Sequence, residues 1–286
     1  MTVPMVETKI NGRWRLLLPE HRAERPEWVT GWERERLDSM HEHLSRMAHQ
    51  HELWLMERGG PDAEKYTQRT RPVIVDVGVE EGDLTALYSQ WGCDVVMVEP
   101  NPRVWPNVRA IWQANGLRPP LASWVGFAGE SYTYEIEQEW LVEHVLTAGV
   151  PAEEDYWPAC AYGRVIGDHA FLHLAQHAHM VPTITLDRLV DNVRWADGVG
   201  RKIDAITMDV EGSELRVLRG AERILREDRP LVWVSVHTDD QWMAENYAQD
   251  RRGDIDAFMA ELGYVPHLLA VDHEEHVFYQ PQEAAR

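Results

Sequence analysis

The stretch from Arg71 to Asn101, RPVIVDVGVEEGDLTALYSQWGCDVVMVEPN, constrains the fold of this chain more than any other. An apolar run from Val73 to Val77 has the length of a buried strand and ends in a turn carrying Gly78 and Gly82. Leu84, Leu87, Tyr88 and Trp91 then repeat at helical spacing until Gly92 interrupts them. A second apolar run, Val95 to Val98, ends on Glu99. Together they make a β-turn-α-β unit. The two glycines let backbone pass close to a ligand and open the helix with free N–H groups. Glu99, at the carboxyl end of the second strand, stands where an acid accepts hydrogen bonds from ribose hydroxyls.

The turn departs from the dinucleotide fingerprint. G-x-G-x-x-G needs a tight first pair of glycines, and here Asp76 and Gly78 are followed only by Gly82. Glu80, Glu81 and Asp83 put three carboxylates where a pyrophosphate would sit, and they would repel it. Such a turn suits a nucleoside with positive charge and no phosphate. S-adenosylmethionine (SAM), with its sulfonium and ammonium groups, has that character.

Charge supports the same direction. A net charge of −20 over 286 residues disfavours a broad phosphate-binding surface, so nucleic acid is not an expected partner. No apolar run reaches the length of a membrane span, and the first residues lack the continuous apolar core of a signal peptide. Cys93 and Cys160 are too few for a disulfide framework or a thiolate zinc site, so a cytoplasmic protein is expected.

Along the chain, Thr8–Ile10 and Trp14–Leu18 flank Asn11-Gly12, a hairpin signal. Trp32 to Met47 carries an amphipathic helical pattern. Residues 1–70 are expected as an appendage of hairpin and helix packed on a main domain at 71–286. A helix over 101–115 is started by Pro102 or Pro106 and ended by Asn115-Gly116, and a third strand is predicted within Leu121–Phe127. The pattern then loosens over about 130–180, a lid-like insertion. It returns with a strand at Val181–Asp187, a strand at Ile203–Val210, one helix from Gly212 to Leu225 and the strand LVWVSVH ending on His237. A helix at Ile255–Leu262 and strands at Tyr264–Val271 and His276–Tyr279 close the chain. This order predicts an α/β fold with a mostly parallel sheet, helices on both faces and an antiparallel pair at one edge.

Ligands of such sheets bind beyond the carboxyl ends of the strands. That rule gathers Asp76 and Gly78, Glu99, Asp209 and Glu211, and His237 on one edge. Four segments there resemble the FkbM-type SAM-dependent methyltransferases. VIVDVGVEEGDLTALY is similar to that family's first strand and turn, with Val79-Glu80 where the family has Ala-Asn. VEPNP matches its Glu-Pro-Asn-Pro, VPTITLDRL its Thr-Leu-Asp segment, and IDAITMDVEGSEL its Asp-Val-Glu-Gly-x-Glu. Trp32-Glu33 matches an aromatic-acid pair on the preceding helix, and Ser235 stands where the fifth strand usually carries an acid. The resemblance implies a Rossmann-like, seven-stranded class I methyltransferase fold and methyl transfer from SAM, usually to a hydroxyl oxygen. It implies cofactor contacts from Asp76, Gly78, Glu80, Gly82, Glu99 and Asn101.

Methylation of a hydroxyl on a small molecule or sugar needs the acceptor oxygen placed in line and its proton removed. His237 is the expected base, with Asp209 and Glu211 as its catalytic neighbours. The same three residues can instead hold the SAM ammonium or ligate Mg2+ or Mn2+. His169, His173 and His177 share one helical face, with His179 beside them. They lack the glutamate of a zincin motif and are expected to face the acceptor rather than a metal. Two other functions compete: an NAD-linked oxidoreductase, disfavoured by the missing glycine, and a catalytically silent SAM-binding module. Self-association into a homo-oligomer stays open.

Overall fold

A computed structural model of the protein describes residues 4–25, 28, 31, 33–57, 71–100, 104–124, 126–131, 183–196, 201–237, 252–272 and 274–282. Asn101, Trp32, the four lid histidines and nearly all of the 130–180 segment therefore lie outside the described residues. The chain opens with a hairpin of β1 (Met5–Ile10) and β2 (Trp14–Pro19), whose turn puts Asn11 and Gly12 at positive φ. Helix α1 (Glu20–Ala23) and the long helix α2 (Arg34–Glu57) follow. Next come β3 (Val73–Val77), α3 (Asp83–Gln90), β4 (Asp94–Val98), α4 (Trp105–Ala114) and β5 (Ala122–Trp124). Strands β8 (Ala205–Met208) and β9 (Leu231–Val236) complete the parallel part, and β10 (Tyr264–Val271) and β11 (Glu275–Pro281) close the sheet.

The seven strands lie in the order β10-β11-β9-β8-β3-β4-β5. Neighbours from β9 to β5 run parallel, while β11 is antiparallel to both β9 and β10. The chain winds outward from β3 through β4 and β5, then returns to place β8 on the other side of β3. That reversal opens a crevice at the carboxyl ends of β3 and β8. This is the Rossmann-like class I methyltransferase arrangement expected from the sequence.

Alternation along the strands assigns the two faces. Val73, Val75 and Val77 of β3 join Val232, Val234 and Val236 of β9 in a core with Leu186, Leu189 and Val190 of α5 (Leu186–Ala196) and Ile255 and Met259 of α8 (Arg252–Glu261). Ile74, Val95, Met97 and Trp233 point the other way, against the β1–β2 hairpin, Leu37, Met40 and Leu44 of α2, and Trp112 of α4. On that second face the alternation also buries polar residues: Asp76, Thr207, Ser235 and His276, from β3, β8, β9 and β11. Asp76 pairs with Thr207 and Ser235 with His276 in the strand register; Thr207 itself faces Trp233, so these are two polar pairs on one face, offset by two residues along β9.

Two elements differ from expectation. The third strand covers only Ala122–Trp124; Phe127–Ala128 (β6) leaves the main sheet and pairs in parallel with Thr183–Ile184 (β7). The single helix expected from Gly212 is two, α6 (Glu214–Arg219) and α7 (Glu222–Glu227). Gly220 causes the break. Its carbonyl accepts the N–H of Asp187 at 2.9 Å, and the Asp187 carboxylate caps α7 by accepting from the N–H groups of Arg223 and Ile224 at 3.0 and 2.9 Å. A Cβ on Gly220 would meet the Gly129 carbonyl oxygen at 1.9 Å. Among the described residues, no helix is long and apolar enough to cross a membrane.

Gly220→Ala should therefore cost about 1–3 kcal/mol through backbone displacement. Gly253→Ala, near the start of α8 with no atom within 4 Å of the added methyl, should stabilise by about 0.4–1 kcal/mol. Urea unfolding of both variants checks the opposite signs.

Candidate active site

The crevice holds a pocket of about 280 Å³ lined by the β3 turn, the ends of β4 and β8, and residues of α2. Gly78 is at φ 86°, and a Cβ there would meet the Asp209 carbonyl oxygen at 1.9 Å, so the approach of the first and fourth parallel strands itself requires glycine. Its N–H and that of Val79 donate to the Val98 carbonyl at 2.9 and 3.3 Å. Gly82, at φ 84°, caps α3 against Val108. Glu99 is buried, lines the pocket and accepts the Glu80 N–H at 2.9 Å.

The acids of the turn do not stand unpaired toward a ligand. Arg22, buried under the turn, donates from Nε to Asp83 at 2.7 Å and from both terminal nitrogens to Glu80 at 2.9 Å. Glu81 takes Asn107 at 3.0 Å and lies 2.7 Å from His21. Burial works against the charge on Arg22, but Asp83 and Glu80 outweigh it and raise its pKa. The charge argument from sequence treated these side chains as facing the ligand. The N-terminal segment neutralises them instead.

Deeper in, Asp76 accepts a hydrogen bond from the Thr85 hydroxyl. Burial pushes its pKa up to about 7, against the lowering effects of Thr85 and Arg36. Arg36 reaches from α2 onto the polar residues of the sheet face and is 3% exposed. It donates to Glu33 at 2.6 Å, Thr207 at 2.6 Å and Ser235 at 3.0 Å.

His237 lies at the end of β9, beside the pocket-lining Asp209 and Glu211. Its Nδ1 is 2.9 Å from Glu214, a fully buried glutamate whose Oε1 also accepts the Gly212 N–H at 2.9 Å. Its Nε2 faces Asp209 and Glu211 at 3.6 Å each and Glu274 at 3.3 Å. Burial alone would lower the pKa of His237, but Glu214, Asp209 and Glu274 raise it to about 10. The ring is thus held as imidazolium near neutral pH, which differs from the neutral base expected at this position. One ligand atom from each of Asp209, Glu211 and His237 lies within 4.8 Å of the others.

The structure therefore brings Asp76, Gly78, Glu99, Asp209, Glu211 and His237 to one sheet edge. It adds Glu33, Arg36, Glu214 and Glu274, which sequence reasoning gave no role. Three of the five non-glycine residues at positive φ among those described are pocket-lining glutamates: Glu33, Glu80 and Glu211. Left-handed backbone costs such residues about 1–3 kcal/mol and concentrates at functional sites.

The family model described as the methyltransferase FkbM domain matches residues 76–266, more than half of the chain. This chain belongs to the FkbM methyltransferase family. A search of curated proteins gives no match. Among solved structures, methyltransferase FkbM from Methylobacillus flagellatus KT is similar at 16% identity and a TM-score of 0.41, covering 73% of this chain; this chain spans 43% of that one. Magnesium protoporphyrin IX methyltransferase from Synechocystis PCC 6803, solved with bound SAM, has 13% identity and a TM-score of 0.34, covering 87% of this chain and 80% of its own. A protein titled a putative caffeoyl-CoA O-methyltransferase, from Staphylococcus aureus, has 12% identity and a TM-score of 0.36, covering 89% and 98%. At these values the neighbours assign no residue a role, and Glu33 and Arg36 lie outside the family match.

Asp76 links the site to pH. Its folded pKa of about 7 exceeds the ordinary carboxylate value, so the folded chain binds an extra proton between the two. Stability from this group is full in acid and declines as pH rises toward about 7. Asp76→Asn should flatten that decline. Calorimetric melting of both proteins from pH 5 to 8 should show the wild type losing several degrees relative to the variant, at about 2–4 °C per kcal/mol for a chain of this size.

Proposed function

We propose that this FkbM-family protein transfers the methyl group of SAM to a hydroxyl oxygen of a small molecule or sugar. The observation that supports this reading best is the setting of His237 beside the acid-lined crevice at the strand ends. SAM supplies an electrophilic methyl carbon on its sulfonium. Glu99 and the Gly78 turn line the pocket together, and Glu99 would accept from the ribose hydroxyls. Glu33, Asp76 and Asp209 line the same pocket and complement a cationic ligand.

His237, Asp209 and Glu211 are the residues that would hold a divalent cation next to it. Their oxygen and imidazole donors suit Mg2+ or Mn2+. The Nδ1 contact with buried Glu214 is the support that orients a ligating imidazole, with Nε2 turned to the carboxylates. On ligation His237 would give up its Nε2 proton. When bound, such a cation supplies Lewis acidity toward the acceptor hydroxyl. Asp209 and Glu211 would orient the acceptor, and one of these carboxylates would take the proton its hydroxyl loses as the methyl carbon leaves sulfur for oxygen and SAM becomes S-adenosylhomocysteine.

Calorimetry should show SAM binding and no NADH binding. Glu99→Ala should weaken SAM by about 1–3 kcal/mol, the cost of a hydrogen bond to a charged group. An unchanged affinity would remove Glu99 from the cofactor site. Electron paramagnetic resonance of Mn2+ should report one bound ion in the wild type and none in Asp209→Asn or His237→Ala. Transfer of radiolabelled methyl from SAM to a panel of alcohols and sugars, lost with chelator and restored by Mn2+, tests the reaction itself; SAM binding with no transfer to any of them would support a silent binding module instead.

A further inference from the structure

The pocket is finished by residues outside the segment that carries the family match. Glu33 and Arg36 both line it, at 6% and 3% exposure, alongside Asp76, Gly78, Tyr88 and Asp209. Glu33 sits one residue before α2 at φ 49°, and its carbonyl accepts the N–H of Leu37 at 2.9 Å, so the helix fixes where its carboxylate stands. Arg36, one turn on, holds that carboxylate at 2.6 Å and is itself fixed to the sheet through Thr207 and Ser235.

Two features suit this corner to a zwitterionic ligand. Carboxylate oxygens of Glu33, Asp209 and Glu274 lie within 4.8 Å of one another and Asp76 is buried nearby, against two cationic side chains, Arg36 at Glu33 and His237 at Asp209 and Glu274. Four acids facing two cations leave a place for a further positive charge. In addition, the Nε–H of Arg36 is buried without a hydrogen-bond partner, a state that normally costs free energy. An ammonium and a carboxylate on one ligand answer both features.

The strand order gives the direction. Glu99 ends β4, Gly78 follows β3, and Glu33 and Arg36 cover β8 through Thr207. A nucleoside held at Glu99 and passing over Gly78 brings its far end to Glu33. We infer that Glu33 binds the α-ammonium of the methionyl part of SAM, with Arg36 as the residue that positions it. This rests on the SAM reading above. It makes the N-terminal helix part of the cofactor site and the means by which the pocket distinguishes SAM from a bare nucleoside.

Calorimetry with three probes tests it: S-adenosylhomocysteine, its analogue lacking only the amino group, and 5′-methylthioadenosine, which lacks the whole amino-acid end. The wild type should bind S-adenosylhomocysteine at least tenfold more tightly than the desamino analogue. Glu33→Gln should abolish most of that preference and leave 5′-methylthioadenosine within twofold. Arg36→Met should do the same, and a melting curve on each variant reports whether it is folded. Equal wild-type affinity for S-adenosylhomocysteine and its desamino analogue overturns the inference without any variant. Equal weakening of all three probes by Glu33→Gln also overturns it, since that marks a structural role. A wild type that binds none of the three overturns the SAM reading, and the inference with it.

Discussion

One buried guanidinium ties this molecule together. Arg36 comes from a helix that precedes the sheet in sequence, yet its hydrogen bonds end on β8 and β9, and through Ser235 they continue to His276 of β11 at 3.2 Å. A full charge at 3% exposure is tolerable only where hydrogen bonds replace its water, and Glu33, Thr207 and Ser235 do so. Helix and sheet are therefore interdependent in polarity as well as in packing, where Leu37, Met40 and Leu44 add apolar burial along the same helix.

The same logic scales up to the pocket. Six acidic side chains (Glu33, Asp76, Asp209, Glu211, Glu214 and Glu274) surround or adjoin one arginine and one histidine. Protons stand in for missing cations: Asp76 and Glu274 are held above the ordinary carboxylate range by burial first, and His237 keeps its proton to about pH 10. A fold that stores negative charge this way is prepared for a positive ligand, and each binding event must displace some of that bound proton. The N-terminal segment performs the complementary task at the pocket wall, where Arg22 neutralises Glu80 and Asp83.

Local pattern made much of this visible in the sequence. The β3–α3–β4 unit was legible because apolar runs and glycines dictate it within thirty residues, and the rule for strand ends then placed Asp76, Glu99, Asp209, Glu211 and His237 together. What stayed hidden depends on contacts between distant segments. Glu274 lies between the two edge strands in a run of polar residues, yet it is 2% exposed and lies against His237. Glu214 closes the Asp-Val-Glu-Gly-x-Glu resemblance, yet its pairing with His237 depends on a strand end more than twenty positions away. A signal did exist in the strands: Asp76, Thr207 and Ser235 interrupt runs otherwise apolar, and three interruptions on one face imply a buried partner with donors. Gly220 was the local mark of the helix break, but the reason no side chain fits there was hidden, since the obstructing atom belongs to Gly129, far away in the chain.

The short pairing of β6 with β7 has a consequence for how such a chain can change. Phe127 faces Thr183 and Ala128 faces Ile184, so two points more than fifty positions apart are fastened side by side. Phe127 and Ala128 are also pocket wall. The entropic cost of closing a loop grows only with the logarithm of its length. Residues can therefore be gained or lost between these anchors at small expense to the sheet, while the chain still departs from and returns to the rim of the pocket. Such a clasp lets the length of chain between β6 and β7 vary while the pocket wall at Phe127 and Ala128 keeps its place.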